Sequence, residues 1–301
     1  MKTIRVSISE LAKICGVSPG TVDRALNNRK EINAATKEKI LRVAKEYGYR
    51  PHISDNADKI RGQIGIIVFN LENEYFAKLV TELEQILSNI NYSANIMLSH
   101  CDKSKEIECI RNLYNMGVDG IIMCPVNSGE EFDNYLSLFD IPIVTTGNDI
   151  GSLPYIGVDD FNAMREFTQE ILKEDFDEII YFSQTVYNKE AYAQQLRYRG
   201  FVDGAKGKNY SVVSDINDIK ETYEYKTLIV CSSDYYALKV YFKTDNAVIT
   251  GFDNIDILDK YKIKIDSVAY SMKDISQGAV DCLINRSGES RFVRHSIVKR
   301  R

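Results

Sequence analysis

Hydrophobic residues recur at helical spacing over about the first fifty positions and predict three short helices. Ser7 and Glu10 have the spacing of a capping box, in which each side chain accepts a hydrogen bond from the other residue's backbone amide. The apolar side of the helix that follows is predicted to hold Leu11, Ala12 and Ile14. The first helix is therefore expected to begin directly after Ser7.

A glycine separates the first predicted helix from the second. Gly16 can adopt the left-handed conformation that ends a helix. Ser18 followed by Pro19 is typical of a helix start, because Ser caps the free amides and Pro needs no hydrogen-bond partner there. Helical spacing predicts one buried face and one polar face for this second helix. The buried face would carry Val22, Ala25 and Leu26, and the other face Gly20, Asp23, Arg24 and Asn27.

A third helix is predicted from Ala34 to about Tyr47, capped by Asn33 and ended by Gly48. Its inward residues would be Ile40, Leu41 and Ala44. Two helices joined by a glycine-containing turn form a helix-turn-helix unit, whose second helix can enter the DNA major groove. A three-helix bundle with no nucleic-acid role would have the same spacing, so the pattern alone leaves both open.

Beyond residue 62 the pattern changes to short apolar strands that alternate with amphipathic helices. Apolar strands that alternate with helices indicate parallel sheets covered on both faces. The alternation restarts after Val158, which predicts two doubly wound α/β lobes rather than one sheet. The predicted strands are Ile64–Phe69, Ser93–Leu98, Gly120–Cys124, Ile143–Thr146, Glu178–Phe182, Thr227–Val230 and Ala247–Gly251. The predicted helices are Phe76–Ile90, Ile107–Met116, Phe132–Phe139, Phe161–Lys173 and Glu190–Gly204.

The fold class is thus α/β, with two parallel-sheet lobes preceded by a small all-α helix-turn-helix domain. Ligands of open α/β sheets bind outside the carboxyl ends of the strands, so two facing lobes form a cleft. The loops predicted to line it follow the strands. They are Asn70–Phe76, Ser99–Asp102, Pro125–Ser128, Gly147–Asp149, Gly157–Asp160, Ser232–Asp234 and Gly251–Asn254.

Charge divides the chain in the same place as the hydrophobic pattern. Residues 1–62 carry 13 Lys and Arg against 7 Asp and Glu, whereas the remainder carries 25 against 36. A basic module before an acidic one suggests that only the first meets a polyanion such as DNA.

Composition narrows the function classes. No apolar run of about 18 residues is present, and the first residues lack the apolar core of a secretory signal, so we expect a cytoplasmic protein. The six cysteines are scattered without a C-x-x-C pair, and there are three histidines. This usage disfavours a zinc ribbon, a disulfide scaffold or a histidine metal site.

Ordered motifs then identify a family. The head contains I-x-x-L-A-K-x-x-G-V-S, T-V-x-R-x-L-N and G-Y-R-P, and the body contains IGIIVFNLENEYF, VDGIIMCP, IPIVTTGN, IGVDD, LRYRGF, LIVCSSD and ITGFDNI in order, ending in RFVRHSIVKRR. Over nearly its whole length the chain resembles the LacI/GalR family of bacterial transcription regulators. The resemblance implies a homodimer that binds a palindromic operator, a small-molecule effector, no cofactor and no catalysis. Repression is the commoner action in that family.

The family's domain plan divides the chain further. It implies a DNA-binding domain over residues 1–51, a hinge over 52–62 and an effector domain over 63–301. Three crossovers between the lobes place about 63–157 and 270–286 in the N-lobe, and about 158–267 and 288–301 in the C-lobe.

The recognition helix departs from the family pattern. Pro19 and Gly20 replace side chains that could reach base edges, so Arg24 is the best candidate for a bidentate contact to guanine. Asp23 could accept from a cytosine amine. The other candidates position the DNA backbone or add charge. They are Ser18, Thr21, Asn27, Asn28, Arg29 and Lys30.

By similarity, the family's effector contacts map onto Asn73, Tyr75, Phe76, Arg197 and Asp253. Aromatic rings would cover the apolar face of a small ring, and charged groups would fix its polar atoms. Plain structural roles are open for three of these positions: Phe76 in the core, Arg197 in an ion pair and Asp253 as a turn cap.

Three further cleft positions depart from the family pattern. They are Asn148, where an Arg is common, Ser233 in place of an Asn and Tyr270 in place of a Gln; Asp160 also replaces a common Asn. The first three changes favour a more aromatic, less charged pocket, and Asp160 adds acidity. A sugar is the expected effector class, with a nucleoside, a polyol or another small polar molecule as alternatives.

The hinge also departs from the family, in which a leucine from a short helix wedges into the minor groove. Asp58 stands near the expected leucine, Asp55 adds repulsion to phosphate, and Ile53 or Ile60 is a substitute wedge.

Two other function classes are alternatives, a solute-binding protein and an enzyme. A solute-binding protein can use the same two-lobed fold, but the missing signal and the helix-turn-helix disfavour it. An enzyme is disfavoured because the phosphate-binding and nucleophile-elbow motifs are absent. His100-Cys101-Asp102 is the only local triplet with catalytic chemistry, and adjacent side chains rarely point the same way.

Overall fold

The computed structural model describes residues 6–26, 29, 32–47, 49, 61–185 and 192–301. The chain divides into two compact units, one within residues 1–59 and one within 60–301. Within the described residues, no helix has the length and apolar character needed to cross a bilayer.

The first unit contains the three expected helices: α1 Ile8–Cys15, α2 Pro19–Leu26 and α3 Ala34–Glu46. The predicted capping box is confirmed, since Ser7 Oγ accepts from the Glu10 amide at 3.2 Å and Glu10 Oε2 from the Ser7 amide at 2.7 Å. Gly16 adopts the left-handed conformation, with φ 67°. Ser18 Oγ accepts from the Thr21 amide at 3.2 Å at the start of α2.

Two predicted core residues of the head are exposed. Ile14 is 44% exposed and Leu41 43%, whereas their neighbours Cys15 and Val43 are buried. Adjacent helix positions differ by about 100° around the axis, so an assignment by spacing alone can miss the packed face by one or two positions. The head's small core consists of Leu11, Ala12, Cys15, Val22, Ala25, Ile40, Val43 and Ala44.

The first half of the larger unit begins with β1 Gly62–Val68, α4 Glu74–Asn89, β2 Tyr92–Leu98, α5 Lys103–Asn115, β3 Gly120–Met123, α6 Glu130–Leu136, β4 Ile143–Thr145 and β5 Ile156–Val158. Strands β1 to β4 form a parallel sheet in the order β2-β1-β3-β4, called the N-lobe sheet below. Its helices begin several residues before the predicted positions, because polar caps such as Asn73 and Asp102 precede the first apolar residue.

The second half contains α7 Asp160–Ile171, β6 Glu178–Phe182, α8 Tyr192–Gly204, β7 Ser211–Val213, β8 Thr222–Cys231, α9 Asp234–Tyr241, β9 Asp245–Phe252, α10 Asp256–Lys260, β10 Asp266–Tyr270, α11 Met272–Asn285, β11 Arg291–Val293 and β12 His295–Val298. Six strands form the C-lobe sheet, in the order β12-β10-β9-β8-β6-β7. All its pairs are parallel except β10 with β12. The expected doubly wound α/β class is confirmed.

The chain crosses between the two sheets near its end. Helix α11 packs against α4, β3, β4 and β5 on the N-lobe side. Strand β11 pairs with β5, and only β12 joins the C-lobe sheet. The family's domain plan, in contrast, implies the C-lobe for all of residues 288–301. Strand β10 reaches Tyr270 within that sheet, beyond the predicted end at 267. The strand pairings thus alternate between the lobes over short segments.

Candidate functional site

The second helix of the head presents its polar face to solvent. Ser18, Pro19, Gly20 and Arg24 are exposed, whereas Val22 and Ala25 are buried. This orientation leaves the Arg24 side chain accessible for contact with another molecule. No ion pair joins Arg24 to another described residue of the chain.

Other predicted DNA-contact residues have partners within the head. Ser18 Oγ, which caps α2, lies 2.9 Å from Thr21 Oγ1. Asp23 Oδ2 lies 3.7 Å from Arg29 Nη1, so the carboxylate offsets part of the head's positive charge. Asn27, Asn28 and Lys30 lie outside the described residues, as do the hinge candidates Ile53, Asp55, Asp58 and Ile60.

The larger unit contains a cleft of about 300 Å³ at the carboxyl ends of the strands. Seven of the eight predicted effector residues line it: Asn73, Tyr75, Phe76, Asn148, Arg197, Ser233 and Asp253. Loops from both sheets therefore meet at one cavity, as parallel α/β topology requires. Lining residues that were not selected as site residues include Phe69, Glu72, Val126, Gln194, Tyr235 and Tyr236. Of these, Phe69, Gln194, Tyr235 and Tyr236 lie outside the loops predicted from the sequence.

Tyr270 is the exception, since it does not line the cavity. Its hydroxyl donates to Asp253 Oδ1 at 2.7 Å, so it lies behind Asp253 and orients that carboxylate. The sequence pattern predicts both residues in the cleft but does not show which side chain reaches the cavity.

Asn148 connects the two lobes. Its Nδ2 donates to the Pro125 carbonyl at 2.9 Å, and its Oδ1 accepts from the Ala193 amide at 3.0 Å. Both ends of the amide are thus occupied by backbone groups. Asn148 is buried and acts mainly as a link between the loop after β4 and the first turn of α8.

The other polar residues of the N-lobe side also have local roles. Asn73 caps α4, its Oδ1 accepting from the Tyr75 amide at 3.1 Å. This places Tyr75 and Phe76 in the first turn of α4, facing the cavity. The Phe76 ring lies 5.0 Å from both the Tyr75 and the Phe69 rings in edge contacts, which form a rigid aromatic wall.

Arg197 is the centre of a buried ion-pair cluster on the C-lobe side. Its Nε donates to Asp160 Oδ1 at 2.6 Å, its Nη1 to the Ser232 carbonyl at 2.9 Å, and its Nη2 lies 3.1 Å from Asp253 Oδ1. The guanidinium also lies 3.8 Å from the centre of the Phe252 ring. Arg197 therefore has the structural ion-pair role that the sequence left open.

A third carboxylate supports the same loops. Asp234 is fully buried and accepts from the Ser267 hydroxyl at 2.8 Å and from the Ile255 amide at 3.0 Å. Its side chain holds the segment after β9, which carries Asp253. Gly251 leaves room for it, because a Cβ there would lie 2.0 Å from Asp234 Oδ1.

Burial dominates the acidity of these carboxyls. It raises the pKa of Asp160 to about 6, against the opposing effect of Arg197. It raises the pKa of Asp234 to about 8, with a further contribution from the charge of Asp253. The pKa of Asp253 is also raised by burial, and Arg197 opposes this shift. Burial therefore favours the protonated form of these carboxyls, and Arg197 opposes it for Asp160 and Asp253.

Several residues beside the cavity have unusual backbone conformations. Asp253 has φ 107° and Asn254 φ 50°, and His100 and Cys101 have φ 53° and 57°. Positive φ is uncommon for residues other than glycine and clusters at ligand-binding loops. The conformation of the cleft loops is thus imposed by the packing around them.

The triplet His100-Cys101-Asp102 does not form a relay through its carboxylate. Asp102 Oδ1 caps α5 by accepting from the Lys105 amide at 2.7 Å. Burial raises the pKa of the Cys101 thiol, which disfavours a reactive thiolate. Cys101 contributes to the cavity lining only as a neutral side chain.

Polar contacts also join the lobes at the mouth of the cleft. The Asp256 amide donates to Glu74 Oε1 at 2.9 Å, and Lys78 Nζ lies 2.5 Å from Asp256 Oδ1. A second contact between the lobes joins the Ser128 and Tyr192 hydroxyls, which are hydrogen-bonded. The lobes are therefore held together on more than one side of the cavity.

Known proteins resemble this chain. Catabolite control protein A of Staphylococcus xylosus is 31% identical over 173 residues, which is 56% of this chain and only about half, 52%, of that protein. Catabolite control protein A of Priestia megaterium is 25% identical over 307 residues, covering 93% of this chain and 92% of that protein.

A solved structure shows the fold. The periplasmic binding protein/LacI transcriptional regulator of Alkaliphilus metalliredigens QYMF, complexed with D-xylulofuranose, has a TM-score of 0.69 and 22% identity, over 79% of this chain and 97% of that one.

Family models match both units. Residues 7–52 match the model of bacterial regulatory proteins, lacI family, and residues 61–245 match the model of periplasmic binding proteins and the sugar binding domain of the LacI family. The chain therefore belongs to the LacI family of bacterial regulatory proteins.

Proposed function

We propose that this regulator binds operator DNA through α2 and responds to a small polar metabolite, such as a sugar, in the cleft. The observation that carries the proposal is the orientation of α2, whose exposed Arg24 stands opposite the buried Val22 and Ala25. A short helix with this orientation on a basic module can enter a major groove.

The DNA-contacting residues are proposed to divide their tasks. Arg24 reads a guanine, and the hydroxyls of Ser18 and Thr21 contact the DNA backbone near the start of α2. Pro19 and Gly20 permit close approach of that helix start. Asp23, paired with Arg29, lowers the affinity for phosphate. Asn27 and Asn28 are proposed to contact the DNA beyond the end of α2.

The cleft is proposed as the effector site. Phe76 and Tyr75 cover one face of the ligand, and Asp253, Ser233 and Arg197 lie on the opposite lobe. A LacI-type regulator of the same fold is complexed with D-xylulofuranose, which supports a sugar-sized ligand here. A ligand that contacts both lobes would change the equilibrium between their relative orientations by its differential affinity.

We further propose that the protein acts in the cytoplasm as a homodimer, most simply as a repressor, and without catalysis. A head of about fifty residues contacts too little DNA for strong affinity, so a two-fold dimer on a palindromic site would double the interface. The domain plan of head (1–51), hinge (52–62) and effector domain (63–301) fits this assembly.

A gel-shift or anisotropy titration tests the function. The full chain should bind a fragment of the promoter upstream of its own gene more tightly than random DNA of equal length and salt. A charge-matched control fragment separates specific binding from phosphate attraction. Equal affinity for both fragments over the whole salt range would contradict the proposal.

A further inference from the structure

We propose that the cleft selects a small ring compound bearing a protonated amine and excludes compounds bearing a phosphate or carboxylate. The inference deepens the proposed function and rests on it in one respect, namely that the cleft is the effector site. The charges, rings and hydrogen-bond partners of the described lining residues support this preference.

The positive charge of the cleft is already neutralised. Arg197 is the only Lys or Arg among the described residues that line the cavity. Its Nε and Nη2 contact Asp160 and Asp253, and its Nη1 contacts a backbone carbonyl. An incoming phosphate would have to replace one of these carboxylates on a guanidinium whose side chain is 7% exposed. That exchange would leave a buried carboxylate without its partner.

A lysine in an adjoining groove has partners of its own. Lys239 lines an adjoining groove, where its Nζ donates to Gln184 Oε1 at 2.9 Å and lies 4.3 Å from the centre of the Tyr235 ring. The lysine therefore stabilises the outer side of the Tyr235 ring rather than supplying a charge to the cavity.

Acidic groups outnumber the guanidinium. Two buried carboxylates, Asp160 and Asp253, share the one guanidinium of Arg197, and the exposed Glu72 contributes to the lining. An excess of buried carboxylates favours the binding of a cation, because a cation restores the missing opposite charge. An ammonium group beside Asp253 would do so at the cavity surface.

The walls of the cleft suit the same ligand. Phe69, Tyr75 and Phe76 line the N-lobe side, and Tyr235 and Tyr236, with ring centres 5.5 Å apart, line the C-lobe side. Aromatic faces cover the apolar face of a ring compound and also attract cations. Rings from both lobes would therefore contact a ligand that combines the two properties.

The cavity also has an acceptor without a donor. Gln194 lines it, and its buried Oε1 has no hydrogen-bond partner among the described residues. A buried acceptor without a partner costs free energy, so a ligand with N–H donors is favoured. An ammonium group supplies three donors and no acceptor, whereas a phosphate supplies mainly acceptors.

Sets of similar compounds that differ in charge test the preference for an amine over a phosphate directly. Calorimetry on the full-length protein at low salt would compare D-glucose, D-glucosamine and D-glucose 6-phosphate, and separately benzyl alcohol, benzylamine and benzyl phosphate. In at least one set the amine should bind about tenfold more tightly than its neutral parent, and neither phosphate should bind detectably. A phosphate that binds as well as its neutral parent, or amines that never bind more tightly than theirs, would overturn the proposal.

Isosteric variants test whether the acidic cluster causes the preference. Asp160→Asn should reduce the preference for the amine about tenfold, whereas Asp203→Asn, on the exposed part of α8, should leave it unchanged. If Asp160→Asn does not fold, Gln194→Leu replaces it, since it removes the free acceptor and should also weaken amine binding. An unchanged preference in the folded variant would contradict the assignment.

The promoter titration distinguishes a failure of the proposed regulator function from a failure of the proposed ligand class. Loss of specific DNA binding would refute the regulator function whatever the cleft binds. Intact DNA binding with a phosphate in the cleft would refute only the ligand class proposed here.

Discussion

The side-chain oxygen of Asn148 accepts a hydrogen bond from the Ala193 amide at 3.0 Å and thereby joins the loop after β4 to the start of α8. The side-chain nitrogen of Asn148 donates to the Pro125 carbonyl at 2.9 Å. One buried side chain thus joins two N-lobe loops to the first turn of a C-lobe helix. The position therefore has a structural role that a list of effector contacts would not show.

We expect Asn148→Ala to destabilise the larger unit by about 1–3 kcal/mol, because it leaves a backbone amide and a carbonyl without partners in a buried place. Denaturant unfolding of the full chain would measure the loss. Asn115→Ala, at the exposed end of α5, is the matched control and should change stability little. Equal stability of the two variants would show that the inter-lobe link contributes nothing.

Arg24→Ala should weaken operator binding by about 1–3 kcal/mol and relax one base position. The reason is that the exposed guanidinium of Arg24, on α2, can form a bidentate contact with guanine. Anisotropy titrations on operator and random DNA would measure both affinities. The exposed Arg42 of α3 provides a control, since Arg42→Ala should not alter the base preference. Equal losses on the two DNAs with Arg24→Ala would refute the base contact.

The free energy of unfolding should fall as the pH rises from about 5 to about 8. Burial raises the pKa of Asp160 to about 6 and that of Asp234 to about 8, both above the ordinary aspartate value of 3.8. The folded chain therefore holds more protons than the unfolded chain in this range, and deprotonation favours unfolding. Urea unfolding at several pH values would measure the slope.

Asp234→Asn should flatten the upper part of that pH dependence, because an amide resembles the protonated carboxyl and does not titrate. Asp203→Asn, which removes an exposed carboxylate from α8, should leave the slope unchanged. If the Asp234→Asn protein retains the full slope between pH 6 and 8, another group causes it.

Gly200→Ala should destabilise the C-lobe, because a Cβ at this position would lie 2.3 Å from the Phe161 carbonyl oxygen. Helices α7 and α8 would have to separate, at a cost of about 1–3 kcal/mol. Gly20→Ala is an informative contrast, since its Cβ would meet only Ser18 Oγ at 3.8 Å. Thermal unfolding of both variants would show a lower Tm for Gly200→Ala alone.

The core of the larger unit was largely predictable because strand and helix periods differ clearly. Ile64, Ile66 and Val68 lie in an apolar run that the structure buries as β1. The head was less predictable: Ile14 and Leu41 are exposed although their spacing fits a core. A small bundle buries a narrow face, so one position decides whether a residue packs inside.

The candidate site was predictable as a set of loops but not as a set of contacts. Tyr270 was expected in the cavity and instead donates to Asp253 from behind it. Gln194 and Tyr235, which line the cavity, belong to helices whose sequence shows no signal for binding. Such positions depend on how far each helix turns toward the opposite lobe.

The sequence by itself determined the helical head, the alternating body and the family, because periodicity and local caps act over a few residues. Only the tertiary structure decided that Arg197 is enclosed by Asp160 and Asp253 and that Asn148 joins the lobes. The physical reason is that burial sets both the strength of an ion pair and the cost of an unpaired polar group, and burial exists only once distant segments pack together.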